Sequence, residues 1–190
     1  SGLRPGLVRH EEFASYAADG YARASGRPGL CVGTAGPGAI NIAAGLAAPF
    51  RDHSPVLAVT GQVPTSERGK GWIEDMDLQS VFAPVTKSSA EASPGNAYDC
   101  IASAYLTALD GCPGPAHVSI PGDVQRSPSR ERDYVPVVSR PDPGPQAVEA
   151  ALEAISGSNR PLILAGWGAI LSGASEGIAK LAEAVPSYVA

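Results

Sequence analysis

The sequence predicts an α/β protein: a parallel sheet with helices on both faces, followed by the start of a second α/β unit. Three observations carry that expectation. Short, continuous apolar runs alternate with helical patterns along the chain, and each run closes in a turn rich in glycine or proline. A stretch at 125–146, with five prolines and many charges, then divides two such regions. Uniformly apolar strands belong to parallel sheets covered on both faces, and strands alternating with helices are their sequence signature.

Taken in order, residues 7–9 read as the end of a strand. Residues 12–24 read as a helix, with Phe13, Tyr16, Ala17 and Tyr21 roughly on one face and Gly26 just beyond its end. An apolar strand at 30–33 is closed by the tight turn Thr34-Ala-Gly-Pro-Gly38. The alanine-rich segment 39–50 is again helical and able to pack closely on a sheet. Residues 55–60 form a buried-type strand ending in Gly61-Gln62-Val63-Pro64, and the polar stretch 65–74 reads as a surface loop. A short strand at 85–87, a helix at 97–109 and a strand at 117–120, closed by Pro121-Gly122-Asp123, complete a first domain over 1–124.

Residues 125–146 read as an interdomain linker. Beyond it come a helix at 147–155, an apolar strand at 161–165 and the loop Gly166-Trp-Gly168. A helix at 175–184 and the beginning of a strand at Val189 follow. Two strands are too few for a stable sheet. The segment 147–190 is therefore expected to be the truncated start of a second domain.

Composition narrows the function. Hydrophobic residues make up 44% of the 190, and the net charge is −5 with no basic cluster, which argues against a nucleic-acid partner. No window approaches the roughly 18 consecutive apolar residues of a membrane span, and no secretory leader is expected. Cys31, Cys100 and Cys112 lie far apart without a CxxC pair, as expected of reduced, packed thiols in a cytoplasmic protein. His10, His53 and His117 are equally scattered, so no metal site built by this chain is expected.

The chemistry-bearing residues gather at strand ends. Glu11 sits where the first strand hands over to a helix, the place where open α/β sheets keep their ligand crevices. In dry surroundings its pKa would rise and it could share a proton with a bound base. A first-turn acid can equally do no more than answer the helix macrodipole. The turn 34–38 and the helix start through Asn41 bring two glycines near a helix N-terminus. They match neither a P-loop nor a Rossmann fingerprint. Gln62 can point its amide into a crevice or cap its strand. Glu74, Asp75 and Asp77 read as a solvated acidic loop, and Trp72 and Trp167 as loop residues beside glycine. Ser54 and Ser119 lack the glycines of a nucleophile elbow. Glu11, the turn at 36–41 and Gln62 converge on one sheet edge, which implies a small-molecule crevice.

Five ordered motifs carry a family resemblance. They are Leu7-Val-Arg-His-Glu-Glu, Ala18-Asp-Gly-Tyr-Ala-Arg, Gly36-Pro-Gly-Ala-Ile-Asn41, Ser54-Pro-Val-Leu-Ala-Val-Thr-Gly-Gln-Val-Pro-Thr65 and Gly114-Pro-Ala-His-Val-Ser-Ile-Pro-Gly-Asp-Val124. Together they resemble the N-terminal, pyrimidine-binding domain of thiamine-diphosphate enzymes of the acetolactate synthase and 2-oxoacid decarboxylase group. Arg160-Pro-Leu-Ile-Leu-Ala-Gly-Trp-Gly with Ser172-Gly-Ala resembles the opening of their central domain.

The resemblance implies a catalytic Glu11 that hydrogen-bonds N1′ of the cofactor's aminopyrimidine and so promotes loss of the thiazolium C2 proton. Gly36, Pro37, Gly38 and Asn41 match the cofactor-side turn, and Gln62 a substrate-side glutamine. The implied reaction is decarboxylation of a 2-oxo acid with carboligation, the thiazolium ring serving as electron sink. Other substrates of the same family, or a non-catalytic scaffold, are the alternatives; a scaffold gains nothing from a desolvated carboxylate at Glu11. The family's first strand and helix should precede Leu7. Its domain for the diphosphate and Mg2+ should follow Ala190, so this piece would hold no metal. Some acetolactate synthases hold FAD with an arginine that 96–106 lacks, which leaves FAD open. A homodimer or homotetramer of the complete protein is implied.

Overall fold

The computed structural model describes residues 4–128, 137–138, 142–185 and 187–190. The chain divides into two compact units between residues 139 and 140.

The first unit runs α1 (Glu11–Ser25), β1 (Gly29–Gly33), α2 (Pro37–Gly45), α3 (Ala47–Arg51), β2 (Val56–Gln62), α4 (Leu78–Phe82), β3 (Ser88–Glu91), α5 (Ala97–Leu109) and β4 (Ala116–Pro121). Its four strands pair in parallel in the order β1-β2-β4-β3. Gly33 lies opposite Thr60, Gln62 opposite Pro121, and Glu91 opposite Ser119, so the strands finish along one edge. Successive residues of β2 serve opposite faces of the sheet. Val56 and Ala58 join Ala18, Ile42, Leu46 and Phe82 in one core, while Leu57 joins Ala104, Ala108 and Val118 in the other. This is the predicted parallel sheet with helices on both faces.

The seating of α1 decides where Glu11 goes. A Cβ added to Gly29 would lie 2.0 Å from the Ala18 carbonyl oxygen, and one on Gly45 would lie 2.7 Å from Ser15 Cβ. At that approach only Ser15, Ala18 and Ala22 fit between α1 and its neighbours, and all three are buried. Ser15 Oγ donates to the Ile42 carbonyl at 2.9 Å, fixing α1 to α2. The aromatic stripe expected on one face is therefore turned outward, with Phe13, Tyr16 and Tyr21 exposed. His10 caps the helix start by accepting from the Glu12 amide, and Gly26 closes its end in the left-handed region at φ 67°.

Three further boundaries differ from the sequence expectation. Residues 7–9 are not a strand: no described strand pairs with them, and Leu7 is 99% exposed. Without a ladder partner so short a segment has nothing to hold it extended. The strand expected at 85–87 begins instead at Ser88, because Ala83–Val85 is a 3-10 turn and the Thr86 hydroxyl donates to the Phe82 carbonyl. Helix α4 was not anticipated. Asp77 caps it, accepting from the Ser80 amide at 3.2 Å.

His117 stands fully buried in the middle of this sheet. Its Nε2 meets Thr60 Oγ1 at 2.9 Å, its Nδ1 meets Ser89 Oγ at 2.8 Å, and Phe82 stacks on the ring with centroids 3.5 Å apart. Burial holds its pKa down to about 3, against 6.5 for a free histidine. The unfolded chain therefore binds a proton between those values that the folded chain refuses. Stability from this group is complete above pH 6.5 and falls as pH drops toward 3, by about 1.4 kcal/mol per pH unit. Urea midpoints measured from pH 7 to 4 are expected to drop in the parent protein and to drop less in His117→Gln.

The second unit contains α6 (Pro145–Ser156), β5 (Leu162–Ile163), α7 (Trp167–Leu171), α8 (Ser175–Ala184) and β6 (Tyr188–Val189), with β5 and β6 parallel. The expected loop 166–168 is instead the cap and first turn of α7. Of the expected linker, residues 129–136 and 139–141 lie outside the described residues. Val124 belongs to the core of the first unit, and α6 already begins at Pro145. Among the described residues no helix is long and apolar enough to cross a membrane.

Candidate functional site

Three chain segments meet where β1 and β2 end. Glu11 opens α1, and its Oε2 accepts a hydrogen bond of 3.0 Å from Asn41 Nδ2, in the second turn of α2. The floor beneath this carboxylate is made of glycine. A Cβ on Gly38 would lie 3.1 Å from Glu11 Oε1 and 2.5 Å from Thr34 Cγ2. One on Gly33 would lie 2.4 Å from Ile42 Cδ1 and 3.8 Å from Glu11 Cγ. Pro37 begins α2, where its fixed φ suits the first helical position. Gly36 precedes it at φ 57°, ψ −125°, and a Cβ there would lie 2.7 Å from Glu74 Cα. The structure thus brings Glu11, Gly36, Pro37, Gly38 and Asn41 together.

The electrostatics of Glu11 run opposite to the dry-pocket expectation. Asn41, followed by a backbone N–H, holds the carboxyl below its ordinary range, with a smaller contribution in the same direction from His10. Desolvation opposes them and is outweighed, because the side chain is only half-buried. In this chain Glu11 is a hydrogen-bonded anion at the start of a helix.

Gln62 is buried, but its amide does not point free into the crevice. Nε2 donates to the Met76 carbonyl at 3.0 Å, and Oε1 accepts from the Val63 amide at 2.8 Å. It ties its own strand end to the loop that follows. That loop is built, not merely solvated. Asp75 pairs with Arg68, Asp77 caps α4, and Glu74 packs on Gly36. Asp123, after β4, accepts from both the amide and hydroxyl of Thr65, which pull its pKa down. The exposed indole of Trp72 lies two residues before Glu74. Sequence reading missed Arg68 and Glu91, whose pairing leaves no local pattern; it also passed over the Asp77-x-x-Ser80 spacing, the N-cap signal of α4.

Comparison with known proteins shows what the chain resembles. Residues 1–81 match the N-terminal TPP binding domain of thiamine pyrophosphate enzymes. A "Probable acetolactate synthase large subunit" from Methanocaldococcus jannaschii is 42% identical over 94% of this chain and 32% of its own length. A "Probable 2-ketoarginine decarboxylase" from Pseudomonas aeruginosa is 38% identical over 96% of this chain and 34% of its own. In structure, a "putative thiamin diphosphate-dependent enzyme" from Mycobacterium smegmatis superposes with a TM-score of 0.87. It is 26% identical and covers 96% of this chain and 36% of that one. The chain is similar to thiamine pyrophosphate enzymes, and its residues 1–81 match their N-terminal TPP binding domain.

Among those enzymes it resembles the acetolactate synthases. It spans about a third of the length of these relatives.

Proposed function

We propose that the protein containing this chain is a thiamine-diphosphate-dependent enzyme that decarboxylates a 2-oxo acid and joins the product to a second molecule. This chain would supply the pyrimidine half of the site. The carrying observation is the Glu11 carboxylate, fixed by Asn41 over a floor at Gly38 that no side chain could occupy. A flat heterocycle whose basic ring nitrogen can share a proton with a carboxylate suits Glu11 in that setting, so the residues present fit the aminopyrimidine.

When bound, the cofactor contributes a thiazolium that accepts the electron pair released by decarboxylation. Glu11 would hold a proton against the ring nitrogen N1′. Asn41 fixes the direction of its carboxylate, and Gly38 permits close approach. Covering Glu11 with a ring would exclude water and strengthen the desolvation that already works against Asn41, raising its pKa toward that of a proton-sharing group. Gln62 would serve the substrate side through the Met76 loop that it anchors.

Several assignments complete the proposal. The pyrimidine-binding domain covers 1–124, and 147–190 opens a central domain. Mg2+ and the diphosphate fall to segments outside this chain, and no residue here is assigned to FAD. The complete protein works as a cytoplasmic homodimer or homotetramer with a small-molecule substrate. The 2-ketoarginine decarboxylase relative supports a second reading, decarboxylation without carboligation.

Calorimetric titration of the full-length protein with thiamine diphosphate and Mg2+ is the test. Saturable binding at one cofactor per chain is expected, and no binding would leave only a scaffold. With pyruvate as substrate, acetolactate identifies the carboligase and acetaldehyde the simple decarboxylase.

A further inference from the structure

We infer that Arg68 is a positioning residue for the cofactor turn: its guanidinium ties the loop after β2 to the end of β3 and so holds Glu74 against Gly36. The inference rests on reading that turn as the pyrimidine site. Arg68 Nη1 donates to Asp75 Oδ1 at 3.1 Å and to the Met76 carbonyl at 3.3 Å, while Nη2 donates to Glu91 Oε2. Met76 receives Gln62 Nε2 on the same oxygen, and Asp75 Oδ2 takes the Gly69 amide at 2.5 Å. Glu91 is the last residue of β3, and its Oε2 lies 3.5 Å from Ser119 Oγ on β4.

A guanidinium fork satisfies this set because its donors diverge in one plane; a lysine ammonium, as a point charge, serves one carboxylate at a time. The side chains are 30% (Arg68), 13% (Asp75) and 29% (Glu91) exposed, so water screens them less than an open surface pair. Removing Arg68 leaves the Asp75 and Glu91 carboxylates without the cation they share, and with it goes the tie between the loop and the sheet. Glu74 adjoins Asp75, and its Cα stands where Gly36 has no room for a Cβ. Gly36 leads through Gly38 and Asn41 to Glu11. The clamp thus reaches the carboxylate by contact alone, and Arg68 touches no part of the cofactor site itself.

The test uses the full-length protein carrying Arg68→Met, Arg68→Lys or Glu91→Gln. Hydrogen exchange without cofactor is expected to rise in Arg68→Met at 69–77 and 34–41, with α5 unchanged. The Kd for thiamine diphosphate is expected to rise about tenfold, equivalent to roughly 1.4 kcal/mol. At saturating cofactor kcat stays within about threefold of the parent, because Glu11 itself is intact. Arg68→Lys and Glu91→Gln fall between parent and Arg68→Met, and they supply the answer if Arg68→Met fails to fold. Unchanged exchange at 34–41 in all three variants, or exchange rising evenly over the whole unit, overturns the inference. Parent protein that binds no cofactor refutes the pyrimidine reading, while the exchange measurement still decides the clamp.

Discussion

Replacing Glu11 by Gln in the full-length protein is expected to slow exchange of the thiazolium C2 proton by about 10²–10⁴-fold, the usual contribution of a positioned acid–base group. The amide keeps the shape of the side chain and an oxygen for Asn41 Nδ2, now 3.0 Å from the carboxylate. What it loses is the ability to hold a proton against a ring nitrogen. The fold should be insensitive, since Glu11 is half-buried and lies outside both cores. Proton NMR of the bound cofactor in D2O measures the exchange directly. A variant exchanging at the parent rate would remove Glu11 from the chemistry.

Gly36→Ala is expected to be the most damaging single methyl group near the site, through two separate penalties. At φ 57°, ψ −125° the backbone occupies a region closed to side chains, at a cost of about 1–3 kcal/mol. The new Cβ would also meet Glu74 Cα at 2.7 Å, and that atom is backbone, unable to swing aside. The turn must move, and Gly38 and Asn41 move with it. A lower Tm together with cofactor binding weakened by more than about tenfold is the expected pair of readings. Gly26→Ala makes the comparison clean. It too has positive φ, at 67°, but its Cβ would enter open space at the end of α1. That variant should lose about 1 kcal/mol of stability and bind cofactor normally. Equal loss of binding in both would refer the Gly36 effect to general destabilisation.

The parts legible from sequence were those whose determinants are local. β1, β2 and β4 announced themselves as apolar runs, and α5 and α8 have the bounds their periodicity implied. The turn at 34–38 was readable because two glycines flanking a proline at a strand end have few other uses. β3 was misplaced because Ser88–Glu91 is an edge strand without a hydrophobic signal. The inner face of α1 was not legible for a different reason. Burial there follows from contact with Gly29 and Gly45, distant in sequence, which admits small side chains and turns the aromatic ones out. The same limit hid the loop clamp, since Arg68 and Glu91 are 23 residues apart and polar. Pattern reading can see neither the partner nor the partial burial that gives the pair its hold. Glu11 was found by position, but its electrostatics depended on Asn41, thirty residues on.

Trp72 gives the first unit an optical reporter. The indole is attached two residues from the contact between Glu74 and Gly36, and it is open to solvent. The chain's other tryptophan, Trp167, belongs to the second unit, so Trp167→Phe removes its emission from this chain. Displacement of the segment beside the cofactor turn would then register as a change in fluorescence wavelength or quenching, followed in real time and without an attached dye.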